Sequence, residues 1–172
     1  MRFFKSIMVL VQKDLALELR TKEMFNSMII FVLLSLVIFN FAFGEAIETS
    51  DEFLGGILWV SFLFAAVLGL NRVFVHEKDE ACLDGLMLVP TERSFIYFGK
   101  AIATFLFLSV VEIVALPIFS ILFGVNLLLN PFLLLLVLLL SNIGIAAVGT
   151  LLSAISINTK ARDLMLPILF FP

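Results

Sequence analysis

Apolar residues fall in four long blocks separated by short polar breaks, and the lengths of those blocks set the fold class. A helix that crosses the ~30 Å hydrocarbon layer needs about 20 consecutive apolar residues. Residues 24–43 supply an uncharged block of that length. Residues 53–75 supply a second, with Arg72 near its end, where a long side chain can reach the interface. Residues 98–123 form a third, with Lys100 near its start and Glu112 the one charge in its interior, and residues 132–157 a fourth. Between the last two, Gly124, Asn126, Asn130 and Pro131 mark a tight turn, so the uncharged run 113–159 divides into a hairpin of two helices. A fifth apolar run, 164–172, would rise only about 13.5 Å as a helix, and is expected to be the start of an incomplete fifth span in a fragment.

Two further segments carry helical periodicity outside these blocks. In residues 1–23, Phe4, Met8, Val11, Leu15 and Leu19 recur at helical spacing, with Lys5, Gln12 and Arg20 on other faces. This predicts an amphipathic helix lying in the membrane interface. In the segment 76–97, Leu83, Leu86 and Met87 form one stripe, and Glu77, Asp79, Glu80 and Asp84 supply an acidic, solvated side that ends at Pro90. The whole chain reads as a single all-α membrane domain, a polytopic transmembrane helix bundle.

Composition removes the alternative of a soluble fold. The chain is 62% hydrophobic and 15% charged, with twenty Phe among 172 residues. A soluble domain of this size cannot hide so much apolar surface. The partner of the surplus is membrane lipid. A net charge of −3 without a basic block gives no nucleic-acid footprint. The N-terminus carries charges of both signs and lacks the pattern of a cleaved signal peptide.

Charge also orients the spans. The loop 44–52 holds four acids and no base, and the turn 124–131 is uncharged. All eleven Lys and Arg fall on the opposite side: Arg2, Lys5, Lys13, Arg20, Lys22, Arg72, Lys78, Arg93, Lys100, Lys160 and Arg162. The positive-inside rule then predicts a cytoplasmic N-terminus, with cytoplasmic segments near 76–97 and 158–163.

Motifs for chemistry are sparse. No phosphate-binding GxxxxGK[ST] is present, so the chain is not expected to hydrolyse ATP by itself. HExxH, GxSxG and CxxCH are absent, and one histidine and one cysteine offer no metal cluster and no disulfide. No catalytic, metal-binding or cofactor-binding residue is therefore assigned. Glu112, the one ionisable residue deep in a span, must face protein or water rather than lipid. It reads either as a substrate or proton site or as a polar tie between helices. His76 is better read as an interfacial histidine than as a haem ligand, Trp59 as an interfacial anchor, Cys82 as packing, and Pro117 as a kink.

Three stretches resemble a known family: KDLALELRTKE at 13–23, GGILWVSFLFAAVLGLNRVFVHEKDEACLDGLMLVP at 55–90 and YFGKAIATFLF at 97–107. They are similar to CcmB, the membrane subunit of the ABC-type complex of cytochrome c maturation, also called haem exporter protein B. The resemblance covers essentially the whole chain. It rests most specifically on Leu58-Trp59-Val60, on Asn71-Arg72-Val73-Phe74 and on residues 83–90. Departures are Asn71, where members often carry Asp, and Ala81, near which they often carry Gly.

The resemblance implies an ABC-2-type, permease-like subunit of the bacterial inner membrane. It implies a separate CcmA-like ATPase and CcmC-like, CcmD-like and CcmE-like maturation proteins as partners. A homodimer follows by analogy with ABC architecture. The function implied is haem export or the ATP-driven release of a haem-loaded chaperone, with haem a ligand handled by the complex. On that reading the segment 77–88 docks on the ATPase, with Leu83, Leu86 and Met87 as anchors and Glu77, Asp79, Glu80 and Asp84 as ion-pair partners. The rival readings are a general ABC-2-type exporter of lipid, polysaccharide or drug, a stand-alone channel or proton-coupled carrier centred on Glu112, and a scaffold for haem-handling subunits.

Overall fold

The computed structural model describes residues 2–47, 51–73, 94–127, 130–156 and 162–170. They form six α-helices: α1 (Arg2–Thr21), α2 (Glu23–Ile47), α3 (Asp51–Arg72), α4 (Ser94–Phe123), α5 (Pro131–Ser156) and α6 (Arg162–Phe170), with no strand among the described residues. Helices α2 to α5 contain stretches long and apolar enough to cross a membrane: Glu23–Phe43, Phe53–Arg72, Ser94–Phe123 and Pro131–Ser156. The fold is thus an all-α polytopic bundle. α4 starts four residues earlier than the apolar block predicts, at Ser94, with Lys100 in its second turn.

The helix ends follow local chemistry. Lys22 takes a left-handed conformation (φ 55°), and its N–H donates to the Glu18 carbonyl at 2.7 Å, which closes α1. The Glu18 carboxylate then accepts from the Phe25 N–H at 2.7 Å, a negative charge on the first turn of α2. One residue therefore separates the two helices. At the far end, Gly124 (φ 65°) ends α4 and Pro131 opens α5, as the turn residues predict. Asn40 Nδ2 donates to the Leu122 carbonyl at 2.8 Å, satisfying an acceptor that the end of α4 leaves open.

α2, α3 and α4 enclose the main core around Met28, Val32, Leu36, Phe62 and Val111. Close approach comes from small residues, as it does where lipid gives helices no hydrophobic reason to associate. Gly69 of α3 meets Met28 of α2, and Gly149 of α5 meets Leu70 of α3. The buried face of α5 consists largely of Asn142, Ala146, Gly149, Thr150, Ser153 and Ser156, while Leu133, Leu140, Ile143 and Ile155 point outward. This reverses the pattern of a soluble helix. α6 packs on α3 and α5 through Leu166, against Val67 and Leu70.

α1 departs from expectation. Its predicted stripe is only partly the packed face: Phe4 is 80% exposed and Leu19 72%, and Met8 is exposed too. Val11 of that stripe is buried and Leu15 packs partly beside it, but Ile7, Leu10 and Asp14 complete the buried side, which packs mainly on α4. Gly99 of α4 lets Leu10 in. The physical reason is that α1 is apolar on more than one side, and the side carrying Asp14 is the one whose charge finds a partner in the bundle.

Candidate functional site

Two polar centres lie within the bundle. The first joins α4 to α5. Glu112 is buried and accepts from Asn142 Nδ2 at 2.6 Å. The Ser109 hydroxyl lies 3.4 Å from the same nitrogen, while donating to the Phe105 carbonyl at 2.8 Å. Phe62, Ala65 and Ala66 of α3 close the third side of a small cavity also lined by Leu108, Glu112, Asn142 and Ile145. That cavity admits the centre of a single water molecule, about 10 Å³. It has room for a water and none for an organic solute. Through Glu112, one buried hydrogen bond links α4 to α5.

The second centre lies at the end of the bundle where the basic residues gather. Lys100 Nζ stands 2.9 Å from Asp14 Oδ2 and donates to the Val73 carbonyl at 3.0 Å. Lys100 is 3% exposed and Asp14 7%, so the pair is held away from solvent. Lys13 Nζ adds a contact of 3.2 Å to Asp14 Oδ1. Each charge makes the burial of the other tolerable, and the amide carbonyl takes up a further ammonium proton. Around the pair, Phe95 and Ile96 at the start of α4 pack on Ile7, Leu10 and Val11, with Val73 beside them.

This geometry concerns the segment 74–93. Val73 precedes it and Ser94 follows it, and both ends are drawn onto α1 by one ion pair and one apolar cluster. The predicted docking residues Glu77, Asp79, Glu80, Leu83, Asp84, Leu86 and Met87 lie within it, outside the described residues, as do His76 and Cys82. Arg72 sits at the end of α3, 3.3 Å from Glu23 at the start of α2, in an exposed pair. It stands apart from Glu112 and belongs to the bundle end. Trp59 is half-buried against the main core. Among the described residues no group of His, Cys, Asp or Glu has the makings of a metal site.

Asp14, Lys100 and Asn142 are functional candidates that sequence reasoning passed over. A signal existed for Asn142: a lone amide amid the leucines of the fourth block, at the head of a one-sided series of small and polar residues. Lys100 offered a weaker signal, because a cation at a span end is usually read as a boundary.

Comparison with known proteins sets this geometry in a family. Residues 5–172 match the family model described as CcmB protein. The chain is 29% identical over 164 residues to the heme exporter protein B of Rhodobacter capsulatus, covering 95% of this chain and 74% of that protein. It is 25% identical over 153 residues to the heme exporter protein B of Pseudomonas aeruginosa, covering 89% and 68%. The heme exporter protein B of Paracoccus denitrificans is 26% identical over 163 residues, covering 95% and 74%.

Proposed function

We propose that this chain, which belongs to the CcmB family, is the membrane subunit of an ABC-type complex of cytochrome c maturation. The family match across residues 5–172 carries the assignment, and relatives bearing the name heme exporter protein B support it. The chain contributes no nucleotide-binding motif, so ATP hydrolysis belongs to a CcmA-like partner. CcmC-like, CcmD-like and CcmE-like proteins complete the assembly, and haem is its cargo rather than a resident cofactor of this chain. The basic end of the bundle faces the cytoplasm of a bacterial inner-membrane protein.

On this reading the segment 77–88 is the ATPase contact, with Leu83, Leu86 and Met87 buried in the partner and Glu77, Asp79, Glu80 and Asp84 paired with its bases. The support from the bundle is mechanical. Because Lys100 binds Asp14 and Val73 together, displacement of the segment is delivered to α1, α3 and α4 as a unit. The apolar contacts of α2, α3 and α4 then carry it along the spans.

Affinity purification of the tagged full-length protein in mild detergent tests the assignment. The expected result is co-recovery of an ATPase subunit with cytochrome c maturation proteins, lost in Leu86→Asp while membrane insertion is unchanged. An ATPase recovered without those proteins would favour a general exporter, and no ATPase at all would refute the ABC reading.

A further inference from the structure

The fold sorts the charges of α1 in a way that its sequence does not show. Along the chain its acids and bases are mixed: Lys5, Lys13, Asp14, Glu18 and Arg20, with Lys22 at the junction to α2. Both acids are taken inward. Asp14 is buried 2.9 Å from Lys100, and the half-buried Glu18 accepts from the Phe25 N–H at 2.7 Å. Lys13 stays beside Asp14 at 3.2 Å. Glu23, the next acid along the chain, faces Arg72 at 3.3 Å. Lys5, Arg20 and Lys22 are exposed, and among the described residues no acid is set against any of them.

The apolar residues left outside stand next to those bases. Successive residues of a helix lie about 100° apart around its axis. On that spacing the packed side of α1, formed by Ile7, Leu10, Val11 and Asp14, covers a sector of about 100°. The exposed Phe4, Met8 and Leu19 share the adjoining sector of roughly 60°, and Lys5 and Arg20 fall in the roughly 100° beyond it. The outer surface of α1 therefore joins an apolar flank to a basic one. Its place in the bundle is the boundary of the spans. Its partners on α4, Phe95, Ile96, Gly99 and Lys100, lie in the first two turns of that helix, and one residue separates α1 from α2. An uncharged lipid would match the apolar flank alone. An acidic protein surface would match the bases and leave Phe4, Met8 and Leu19 uncovered. An anionic phospholipid carries both complements, acyl chains and a negative headgroup.

We propose that the outer surface of α1 binds anionic phospholipid in preference to uncharged lipid. Phe4, Met8 and Leu19 enter the acyl-chain boundary, while Lys5, Arg20 and Lys22 hold the negative headgroups. The inward capture of Asp14 and Glu18 is what makes this surface selective, because either carboxylate turned outward would repel the same headgroups. The Asp14–Lys100 pair thus serves the lipid side of α1 as well as its docking on α4. The preference is independent of which cargo the complex handles.

Lipid titration of the full-length protein in a neutral detergent tests this, with thermal unfolding as the readout. The probes are dioleoylphosphatidylglycerol and dioleoylphosphatidylcholine, which share acyl chains and differ in headgroup charge. The anionic lipid is expected to half-saturate the rise in Tm at a concentration about tenfold or more below that of the zwitterionic one. Each base near an anionic surface is worth about fivefold. Lys5→Gln/Arg20→Gln is expected to lose most of that preference, and both substitutions fall on exposed side chains. Arg72→Gln, which removes an exposed base outside α1, is expected to keep it. Equal half-saturation by the two lipids, or a preference unchanged in Lys5→Gln/Arg20→Gln, would overturn the proposal. So would glycerol phosphate or polyglutamate acting as well as the anionic lipid, since the site would then take a free anion or an acidic chain.

Discussion

Lys100 Nζ lies 2.9 Å from Asp14 Oδ2, joining residues 86 positions apart in a pair nearly closed to solvent. Removing one member strands the other. Lys100→Met is expected to lower stability by about 3–5 kcal/mol, and Asp14→Leu/Lys100→Met to recover most of it. The exposed Arg72–Glu23 pair should behave differently: Arg72→Ala is expected to cost about 1 kcal/mol or less. Thermal unfolding of the purified protein in one detergent compares them, and equal losses would contradict the contrast in burial.

Glycine substitutions on α5 should separate packing from propensity. A Cβ on Gly149 would collide with the Leu70 side chain, whereas one on Gly144 meets nothing within 4 Å. Gly149→Ala is expected to cost about 1–3 kcal/mol, and Gly144→Ala to be neutral or stabilising by up to about 1 kcal/mol. The same unfolding assay ranks the two.

Asn142→Leu removes the donor from a buried carboxyl and is expected to destabilise by about 1–3 kcal/mol. Glu112→Gln keeps an acceptor for Asn142 Nδ2 and should cost less. If the order were reversed, Glu112 would owe its place to its charge rather than to the bond.

Glu18→Ala removes the carboxylate that receives the Phe25 N–H, and is expected to cost about 1 kcal/mol. The effect should be local. Proteolysis near Lys22 is the measurement, with faster cleavage there and unchanged resistance in the spans.

The spans were legible because block length and apolarity alone decide whether a helix can cross a bilayer, and the α4–α5 turn because Gly124, Asn130 and Pro131 each have a local reason to stand there. The packed side of α1 was not legible. Phe4, Met8 and Leu19 are as apolar as Ile7 and Leu10, and it is distant residues, Lys100 together with Phe95 and Ile96, that select between the two sides. Glu112 was visible as an oddity, but its partner was not, since a sequence gives the depth of a residue and not the register between helices. Asn142 and the small residues that follow it were the available clue.

The docking of α1 on α4 has a consequence for assembly. α1 leaves the ribosome before α4, so the surface that covers Ile7, Leu10 and Asp14 belongs to a helix made some seventy residues later. Until then its exposed Phe4, Met8 and Leu19 can hold it at the lipid surface, while its acid waits in water for Lys100. The docking of α1 therefore waits on the insertion of α4, and the Asp14–Lys100 pair can form only once α4 has placed its Lys100 end on the same side of the membrane as α1.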